Sequence, residues 1–222
     1  MDATIKVGGS LAENTVMLKT LGNTLCEIAK NHSIVVVPGG AKFADTVREY
    51  DQKYHLSANT AHKMAILGMD QYGLLLEQLT PNSCITYSLN KADQISKEGK
   101  IPILLPSKVA FREKMLEASW NVTSDSIAAC IGWKLKTSKV ILVKDVDGIF
   151  DRDPREYPTA KLLPTLSPNE LLTFTQATIV DKFLPKILMK TRLSCYIVNG
   201  AYPERLKAIL AGLNTICTLI KA

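Results

Sequence analysis

The amino-acid sequence predicts an α/β fold, a three-layer αβα sandwich with helices on both faces of a mainly parallel central sheet. Unbroken apolar runs, such as residues 34–37 and 140–143, are typical of strands that are covered on both faces of a parallel sheet. Strands alternate with helical patterns to the end of the chain, which is the order of elements in such sandwiches. At 222 residues, 46% of them apolar, the chain can bury a sizeable core, and we expect one domain over residues 1–222.

The first strand is predicted over residues 3–7 and leads through Gly8, Gly9 and Ser10 into a helix. A strand, a glycine turn and a helix together present backbone N–H groups to a phosphate. The turn matches neither the GxxxxGK[ST] loop nor the GxGxxG fingerprint, and its glycines could equally be turn formers only. Lys6 lies inside the buried-strand pattern, where it needs an anionic partner unless it is at a sheet edge with its ammonium in water.

The second buried strand, residues 34–37, ends in Pro38, Gly39 and Gly40, and the following helix carries Arg48. A second glycine turn at the same edge of the sheet indicates a crevice there. A long helix is predicted over residues 59–79, with His62 near its start. By itself, His62 is more typical of a capping or surface histidine than of a ligand-binding group.

After brief strands at residues 84–87 and 103–105, a helix is predicted over residues 124–135. Thr123 and Ser124 supply its N-cap, and Asp125 is an acid in its first turn. An acid at this position could serve catalysis. It could also simply stabilise its own helix, by about 0.3 to 1 kcal/mol.

The strand over residues 140–143 ends in polar residues, beginning with Lys144, Asp145 and Asp147 and continuing through Gly148, Phe150 and Asp153. Open α/β sheets bind ligands at the carboxyl ends of their strands, although an ordinary turn is also rich in Asp and Gly. Residues 151–168 read as a loop or hairpin excursion, and residues 167–174 as a capped helix. A strand at residues 195–198, a helix over residues 203–212 and a strand at residues 216–220 complete the pattern.

The net charge indicates which binding partners to expect, and the cysteines indicate the redox state of the compartment. A net charge of +6 favours anionic partners, and because no nucleic-acid module is visible, we expect phosphorylated small molecules and no nucleic acid. The chain shows no signal pattern and no apolar run near the ~20 residues that span a bilayer, so we expect no membrane association and a cytoplasmic protein. Its five cysteines lack paired short spacings and read as reduced thiols.

Seven segments together resemble the amino acid kinase superfamily, which includes acetylglutamate kinase, aspartokinase, uridylate kinase and isopentenyl phosphate kinase. They are KVGGS, VVPGGAKFADTVREYD, HKMAILGMDQYG, ILLPSK, SWNVTSDS, VKDVDGIFD and YIVNGAYPERL, and they cover essentially the whole chain. Within the superfamily, the likeness is greatest to the kinases of methanofuran biosynthesis, which phosphorylate aminomethylfuran-methyl phosphate.

The resemblance implies a catalytic group of Lys6, Lys186 and Asp125, with the aspartate holding the two lysines. The family usually has glycines ahead of the second lysine, whereas this chain has Asp181, Lys182 and Phe183. Without the resemblance, Lys186 reads as a solvated surface lysine. Nucleotide contacts are expected from Lys6, Gly8, Gly9, Ser10, Lys144, Asp145, Asp147, Gly148, Phe150 and Asp153. Acceptor contacts are expected from Gly39, Gly40, Arg48, His62 and Ser124.

The expected reaction is phosphoryl transfer from ATP to a phosphomonoester, which gives ADP and a diphosphate. No general base is conspicuous, as suits an acceptor that is already anionic. Mg²⁺ is expected to be bound by ATP phosphates and water, because no carboxylate cluster has the spacing of a protein metal site. UMP or isopentenyl phosphate are alternative acceptors, and a non-catalytic anion-storage protein of the same fold is the alternative class. By analogy with the superfamily, we expect a homo-oligomer.

Overall fold

A computed structural model describes residues 1–154, 156–174 and 179–221. Its strands are β1 Ala3–Val7, β2 Ile34–Pro38, β3 Ser83–Thr86, β4 Ile101–Leu104, β5 Lys139–Lys144, β6 Thr165–Leu166, β7 Ser194–Asn199 and β8 Thr218–Ile220. Its α-helices are α1 Thr15–Ile28, α2 Ala41–Tyr54, α3 Ala58–Leu79, α4 Leu89–Lys97, α5 Ser107–Ala110, α6 Ser124–Lys134, α7 Pro168–Thr173, α8 Leu184–Thr191 and α9 Glu204–Leu210. A 3-10 helix, Gly9–Glu13, follows β1.

The described strands form one eight-stranded sheet in the order β3-β4-β2-β1-β5-β7-β8-β6. Every pair in it is parallel except β7 and β8, which are antiparallel. Strand β1 lies between β2 and β5, and Lys6 stands opposite Val37 on one side and Leu142 on the other. The carboxyl ends of these three strands therefore meet at one edge of the sheet, as the sequence predicted.

Alternation along the strands divides the core between the two faces of the sheet. On one face, Ile5 and Ile141 pack in a core cluster with Leu21 and Leu25 of α1. On the other face, β5 packs against α8 and β2 packs against α6. Each fully buried aliphatic side chain contributes about 1.5 to 3 kcal/mol. Because Ile5 faces α1, its neighbour Lys6 points to the opposite face, where α6 lies.

The predicted fold class is confirmed, with differences in detail. Residues 151–168 form more than a loop, because Phe150 pairs with Leu162 in an isolated bridge and β6 adds an edge strand to the sheet. Helix α4 was not predicted from the sequence. Helix α7 has a full capping box, in which Ser167 and Glu170 satisfy each other's backbone N–H groups. Among the described residues, no helix is long and apolar enough to cross a membrane.

Candidate active site

Two lysines and an aspartate form a buried ionic cluster at the carboxyl edge of the sheet. The Lys6 ammonium on β1 lies 2.9 Å from Asp125 Oδ1, and Lys144 Nζ at the end of β5 donates a hydrogen bond to Asp125 Oδ2 at 2.8 Å. Lys6 is 4% exposed and Asp125 is 2% exposed. The Lys6 ammonium is close to Oδ1 without hydrogen-bond alignment, so this oxygen has no hydrogen-bond partner among the described residues.

The protonation states in this cluster follow from burial and from the neighbouring charges. Burial opposes ionisation of Asp125, but the charges of Lys144 and Lys6 outweigh it and hold the pKa of this carboxyl well below its usual range. Burial also lowers the pKa of Lys6, and the charge of Asp125 offsets part of that effect. Asp125 is therefore ionised at neutral pH, and it holds two ammonium groups within reach of an anionic ligand.

The second lysine that Asp125 holds is Lys144, whereas the family resemblance implied Lys186. Helix α8 buries Leu184, Ile187 and Leu188, and Lys186 lies on its exposed side. Its ammonium stands 5.4 Å from the centre of the Phe183 ring. Among the described residues, Lys186 makes no ion pair with Asp125. Lys144, which was assigned only to nucleotide binding, reaches Asp125 because β5 and α6 pack next to each other.

The two glycine turns pack directly against each other, which leaves only some of their N–H groups free. The N–H of Gly8 donates to the Val143 carbonyl and that of Gly39 donates to the Val7 carbonyl, each at 2.8 Å. These two N–H groups are therefore committed to the sheet. A Cβ on Gly9 would lie 2.3 Å from the Ala41 nitrogen, so the approach of the turns requires glycine there. Tyr72 of α3 supports the turn by donating to the Gly8 carbonyl at 3.2 Å.

The start of α2 has the backbone form of an anion-binding nest. Gly40 is right-handed helical, with φ −88° and ψ −27°, and Ala41 is left-handed, with φ +48°. Successive residues of these two forms direct their N–H groups into one concavity, which suits an anion. A left-handed conformation costs an alanine about 1 to 2 kcal/mol, because its Cβ approaches the following carbonyl oxygen.

A cavity of about 520 Å³ opens beside this nest and extends to the start of α6. Six of the predicted residues, Gly9, Ser10, Gly40, Arg48, His62 and Ser124, line it, whereas Gly39 does not. The lining that the sequence did not indicate is Glu13, Ala41, Lys42, Ala44, Asp45, Ala65, Ile66, Met69, Trp120, Val122, Thr123 and Ile127. Lys6, Asp125 and Lys144 do not line the cavity themselves, but Ser124, which does, directly precedes Asp125 in the chain.

Arg48 and its partners form the wall of the cavity. The Arg48 guanidinium pairs with Asp45 at 2.7 Å and stands 4.8 Å from the centre of the Trp120 ring. Trp120 is fixed in turn, because its Nε1 donates to Asp51 Oδ2 at 2.7 Å. This wall presents a cation, a carboxylate and an aromatic face to the cavity.

His62 lies across the cavity in a half-buried position. Burial lowers its pKa, although a hydrogen bond to the backbone of Ser119 acts in the opposite direction. His62 is therefore a neutral group at pH 7 and can contribute by hydrogen bonding.

Some residues of the acidic turn after β5 are hydrogen-bonded to neighbouring elements, and others are exposed. Asp147 accepts hydrogen bonds from Asn199 at 3.0 Å and from Arg205 at 2.6 Å, whereas Asp145 is exposed. Gly148 has φ +156°, and a Cβ there would lie 2.4 Å from Thr218 Oγ1. Phe150 pairs with Leu162 in the bridge, and the carbonyl of Asp153 accepts from the N–H groups of Glu156 and Tyr157.

Asp181 is a partly buried acid that the sequence did not assign to the site. Its carboxylate accepts hydrogen bonds from Thr123 and Ser126 at the start of α6 and from Phe183 and Leu184 at the start of α8. Burial and then the charge of Asp125 raise its pKa, and the bonds from Ser126 and Thr123 act against that rise. One feature of the sequence could have drawn attention to Asp181. Residues 181–183 replace the glycines that the family usually has ahead of its second lysine.

The described residues include no group of three or more His, Cys, Asp or Glu side chains that could hold a metal ion. Asp145 directly follows Lys144 in the chain, and its side chain is exposed.

Comparison with known proteins gives consistent results. The model of the amino acid kinase family matches residues 4–199. The chain is 37% identical to the [5-(aminomethyl)furan-3-yl]methyl phosphate kinase of Methanocaldococcus jannaschii, over 97% of this chain and 96% of that one. It is 23% identical to the uridylate kinase of Thermococcus gammatolerans, over 87% of this chain and 88% of that one.

Solved structures show the same fold. The uridylate kinase of Archaeoglobus fulgidus superposes with a TM-score of 0.78 at 20% identity, over 99% of this chain and 100% of that one. The UMP kinase of Bacillus anthracis gives a TM-score of 0.78 at 18% identity, over 99% and 95% of the two chains.

Proposed function

This chain belongs to the amino acid kinase family, and from that premise we propose that it transfers the γ-phosphoryl group of ATP to a phosphomonoester. The acceptor that we propose is [5-(aminomethyl)furan-3-yl]methyl phosphate, the compound named for the 37% identical relative. The observation that carries the proposal is the buried Lys6–Asp125–Lys144 cluster beside a cavity that an anion nest and Arg48 line.

The ionic cluster supplies what phosphoryl transfer requires of a protein, namely alignment and fixed positive charge. In the proposed step, an oxygen of the acceptor phosphate forms a bond to the γ-phosphorus while the bond from that phosphorus to the β–γ bridging oxygen breaks. ADP leaves with the electron pair of the broken bond. Lys6 and Lys144 stabilise the charge on the transferring group, and Asp125 keeps both ammonium groups in position. No general base is needed, because the acceptor phosphate is already ionised.

We use the order of the strands to assign the two substrates to different sides of Lys6. The acceptor cavity lies on the β2 side of Lys6, and the acidic turn lies on the β5 side. We assign the nucleotide to the β5 side, with Lys144, Asp145, Asp147, Gly148, Phe150 and Asp153 as contacts, and with Gly8, Gly9 and Ser10 beneath the transferring phosphoryl. Lys6 lies between these two regions, as a residue that acts on the transferring group must.

Magnesium fits this site as an ion that is held mainly by nucleotide phosphates and water, with Asp145 as the available carboxylate. When bound, Mg²⁺ would neutralise part of the charge of the nucleotide phosphates. The protein retains the tasks of binding, orienting and charge stabilisation.

The acceptor cavity matches each part of an aminomethylfuran-methyl phosphate. The N–H groups of Gly40 and Ala41, together with Arg48, suit the phosphate. The Trp120 face suits a small aromatic ring or a cation. Asp45 and Glu13 also line the cavity; they pair with Arg48 and Lys42 in this structure, and the ammonium of the aminomethyl group would exchange for one of these cations. UMP has no cationic group to place against these carboxylates, and isopentenyl phosphate has neither a cation nor an aromatic ring.

A panel of acceptors tests the proposal. ADP release is measured with MgATP and the furan-methyl phosphate, UMP or isopentenyl phosphate, each over a range of concentrations. We expect the highest kcat/KM with the furan compound and little release without an acceptor. A preference for UMP would overturn the acceptor assignment, and tight ATP binding without transfer to any acceptor would favour the storage alternative.

We also propose that the chain forms a homo-oligomer. Leu67, Leu74 and Leu75 of α3 are each at least 40% exposed, and covering them in an interface would stabilise an assembly. Light scattering at micromolar concentration should give a mass of two or more chains, and a monomer mass would contradict the proposal.

A further inference from the structure

The carboxylate of Asp181 joins the first turns of two helices. Its Oδ2 accepts hydrogen bonds from the Thr123 N–H, the Thr123 hydroxyl and the Ser126 N–H, each at 2.9 Å. Its Oδ1 accepts from the Ser126 hydroxyl at 2.5 Å, the Phe183 N–H at 3.1 Å and the Leu184 N–H at 2.8 Å. Hydrogen bonds to a charged group are stronger than those between neutral groups, and six of them meet on this one carboxylate, so the junction is firmly held.

Asp181 accepts a hydrogen bond from a backbone N–H in the first turn of helix α6, which is normally the role of the N-cap side chain. Thr123 is the N-cap residue, but its side chain makes no capping bond to its own helix. Instead, its hydroxyl donates to Asp181, and Asp181 also receives the Ser126 N–H of the first turn. The placement of the first turn of α6 is therefore set by a carboxylate that lies more than 50 residues later in the chain.

Asp125 lies in that same first turn, between the two residues that Asp181 holds. Its carboxylate is shared between Lys6 at 2.9 Å and Lys144 at 2.8 Å. A small shift of the turn would change both distances, and misplacement of catalytic groups by about 1 Å can cost roughly 100-fold in rate. The geometry thus connects the Asp181 carboxylate to both lysines through Asp125.

We propose that Asp181 is a positioning residue for phosphoryl transfer, which fixes the first turn of α6 and through it the placement of Asp125, Lys6 and Lys144. This inference rests on the proposed kinase function. Asp181 also supplies the second carboxylate of a buried group with two lysines, so that the group is balanced in charge when both acids are ionised. Its charge acts on Lys6 as well, where it favours the ammonium form.

Asp181→Asn is the variant of choice because it keeps the size of the side chain. It removes the charge and replaces one acceptor oxygen with an NH₂ group, which faces N–H and O–H donors of the helix starts. The matched control is Ser167→Ala, which removes the N-cap of α7. The loss of a cap lowers the melting temperature, and Ser167 makes no hydrogen bond to the ionic cluster.

The assay is ADP release with the best acceptor of the panel, for the wild type and both variants, with thermal unfolding measured in parallel. For Asp181→Asn, we expect a kcat at least tenfold below the wild-type value and a KM for ATP within threefold of it. The acceptor KM is measured as well, because Thr123 and Ser124 of the same turn line the acceptor cavity. The alkaline limit of the kcat–pH profile should also move to lower pH. The groups facing Lys6 are Asp125 on α6, Lys144 on β5 and Asp181, and without the charge of Asp181 the lysine loses its proton more easily. Ser167→Ala should lose stability with kcat and pH profile unchanged.

Each outcome of this experiment decides one of the two proposals. A wild-type protein that releases no ADP with any acceptor refutes the kinase function. An active wild type with an Asp181→Asn variant of equal kcat and equal pH profile refutes the positioning role. If Asp181→Asn does not fold, Ser126→Ala replaces it, since this change removes one bond to Asp181 and leaves the carboxylate in place. We then expect a kcat severalfold lower at unchanged KM for ATP, and a wild-type kcat would overturn the inference.

Discussion

Substitution of Lys144 by methionine tests the assignment of the second catalytic lysine. Methionine is close to lysine in length and is apolar, so the variant removes the ammonium 2.8 Å from Asp125 Oδ2 with little change in volume. Lys6 remains as a counter-ion for Asp125, and for that reason we expect the variant to fold. Removing one fixed electrostatic group from a preorganised site costs about 2.7 to 4 kcal/mol, which is roughly 100- to 1,000-fold in kcat.

The matched change is Lys186→Met, which removes a lysine that the sequence assigned to catalysis and the structure places on the exposed side of α8. An exposed charge is screened by water and is worth about 0 to 1 kcal/mol, so we expect no more than roughly a fivefold loss of kcat. Lys190→Met, at the other end of α8, controls for the general loss of a positive charge from this helix.

The assay is ADP release at saturating MgATP and acceptor, after circular dichroism and thermal unfolding have shown that each variant is folded. Near-normal turnover of Lys144→Met together with a 100-fold loss in Lys186→Met would refute the assignment of Lys144. That result would restore the pair of lysines that the family resemblance implied.

Four further changes test other parts of the site. Lys6→Ala should lower kcat by about 100-fold or more, because Lys6 is the other fixed charge on the transferring group; near-normal turnover of the folded variant would remove it from the mechanism. Asp125→Asn should lose activity while its secondary structure persists in circular dichroism, and retained activity would contradict its role in holding the lysines. Because the pKa of Asp125 in the folded protein lies well below its ordinary value of 3.8, its contribution to stability is fully present at neutral pH, begins to shrink below about pH 3.8 and is lost only as the pH falls through the lowered folded pKa. Urea unfolding should therefore separate wild type from Asp125→Asn at pH 7, and the difference should be smaller but still present at pH 3. Arg48→Ala should raise the acceptor KM at least tenfold and the ATP KM less than twofold, and equal changes would place Arg48 outside the acceptor site. His62→Asn should raise the acceptor KM by a constant factor from pH 7 to 8, since burial lowers the pKa of His62 and the ring is neutral there; a factor that varies with pH in this range would contradict that protonation state.

The sequence predicted those features that local pattern determines. The unbroken apolar runs identified the central parallel strands, and the glycines after β1 and β2 indicated a crevice at their carboxyl ends. Lys6 stood out because a lysine inside a buried strand requires an anionic partner, and that partner proved to be Asp125 at 2.9 Å. The first-turn acid of α6 was identified by the same local reasoning.

Features that depend on packing between distant segments could not be predicted in this way. Lys144 meets Asp125 only because α6 packs across the sheet beside β5, and no spacing in the chain shows that contact. Trp120 reaches the acceptor cavity through its hydrogen bond to Asp51, 69 residues earlier in the chain. Gly8 and Gly39 were assigned to ligand binding because each follows a strand in a glycine turn, whereas their N–H groups are committed to Val143 and Val7.

Lys186 shows the limit of transferring a role by resemblance. The position matched, but the glycines expected ahead of it are replaced by Asp181, Lys182 and Phe183. In the structure this replacement has a physical consequence, because Asp181 binds the first turns of α6 and α8 together. The departure from the family pattern thus coincides with the residue for which we propose a positioning role, and which the sequence alone left unassigned.

Phosphorus NMR of the complete reaction tests the central claim most directly. Wild-type protein is mixed with MgATP and [5-(aminomethyl)furan-3-yl]methyl phosphate, and the resonances are followed as ATP is consumed. Transfer to a phosphate oxygen predicts two new, mutually coupled diphosphate resonances from the acceptor, which increase in a one-to-one ratio with ADP and are absent with Lys144→Met over the same period. Formation of ADP with inorganic phosphate alone, or an acceptor resonance that stays unchanged while ATP is consumed, would contradict the claim.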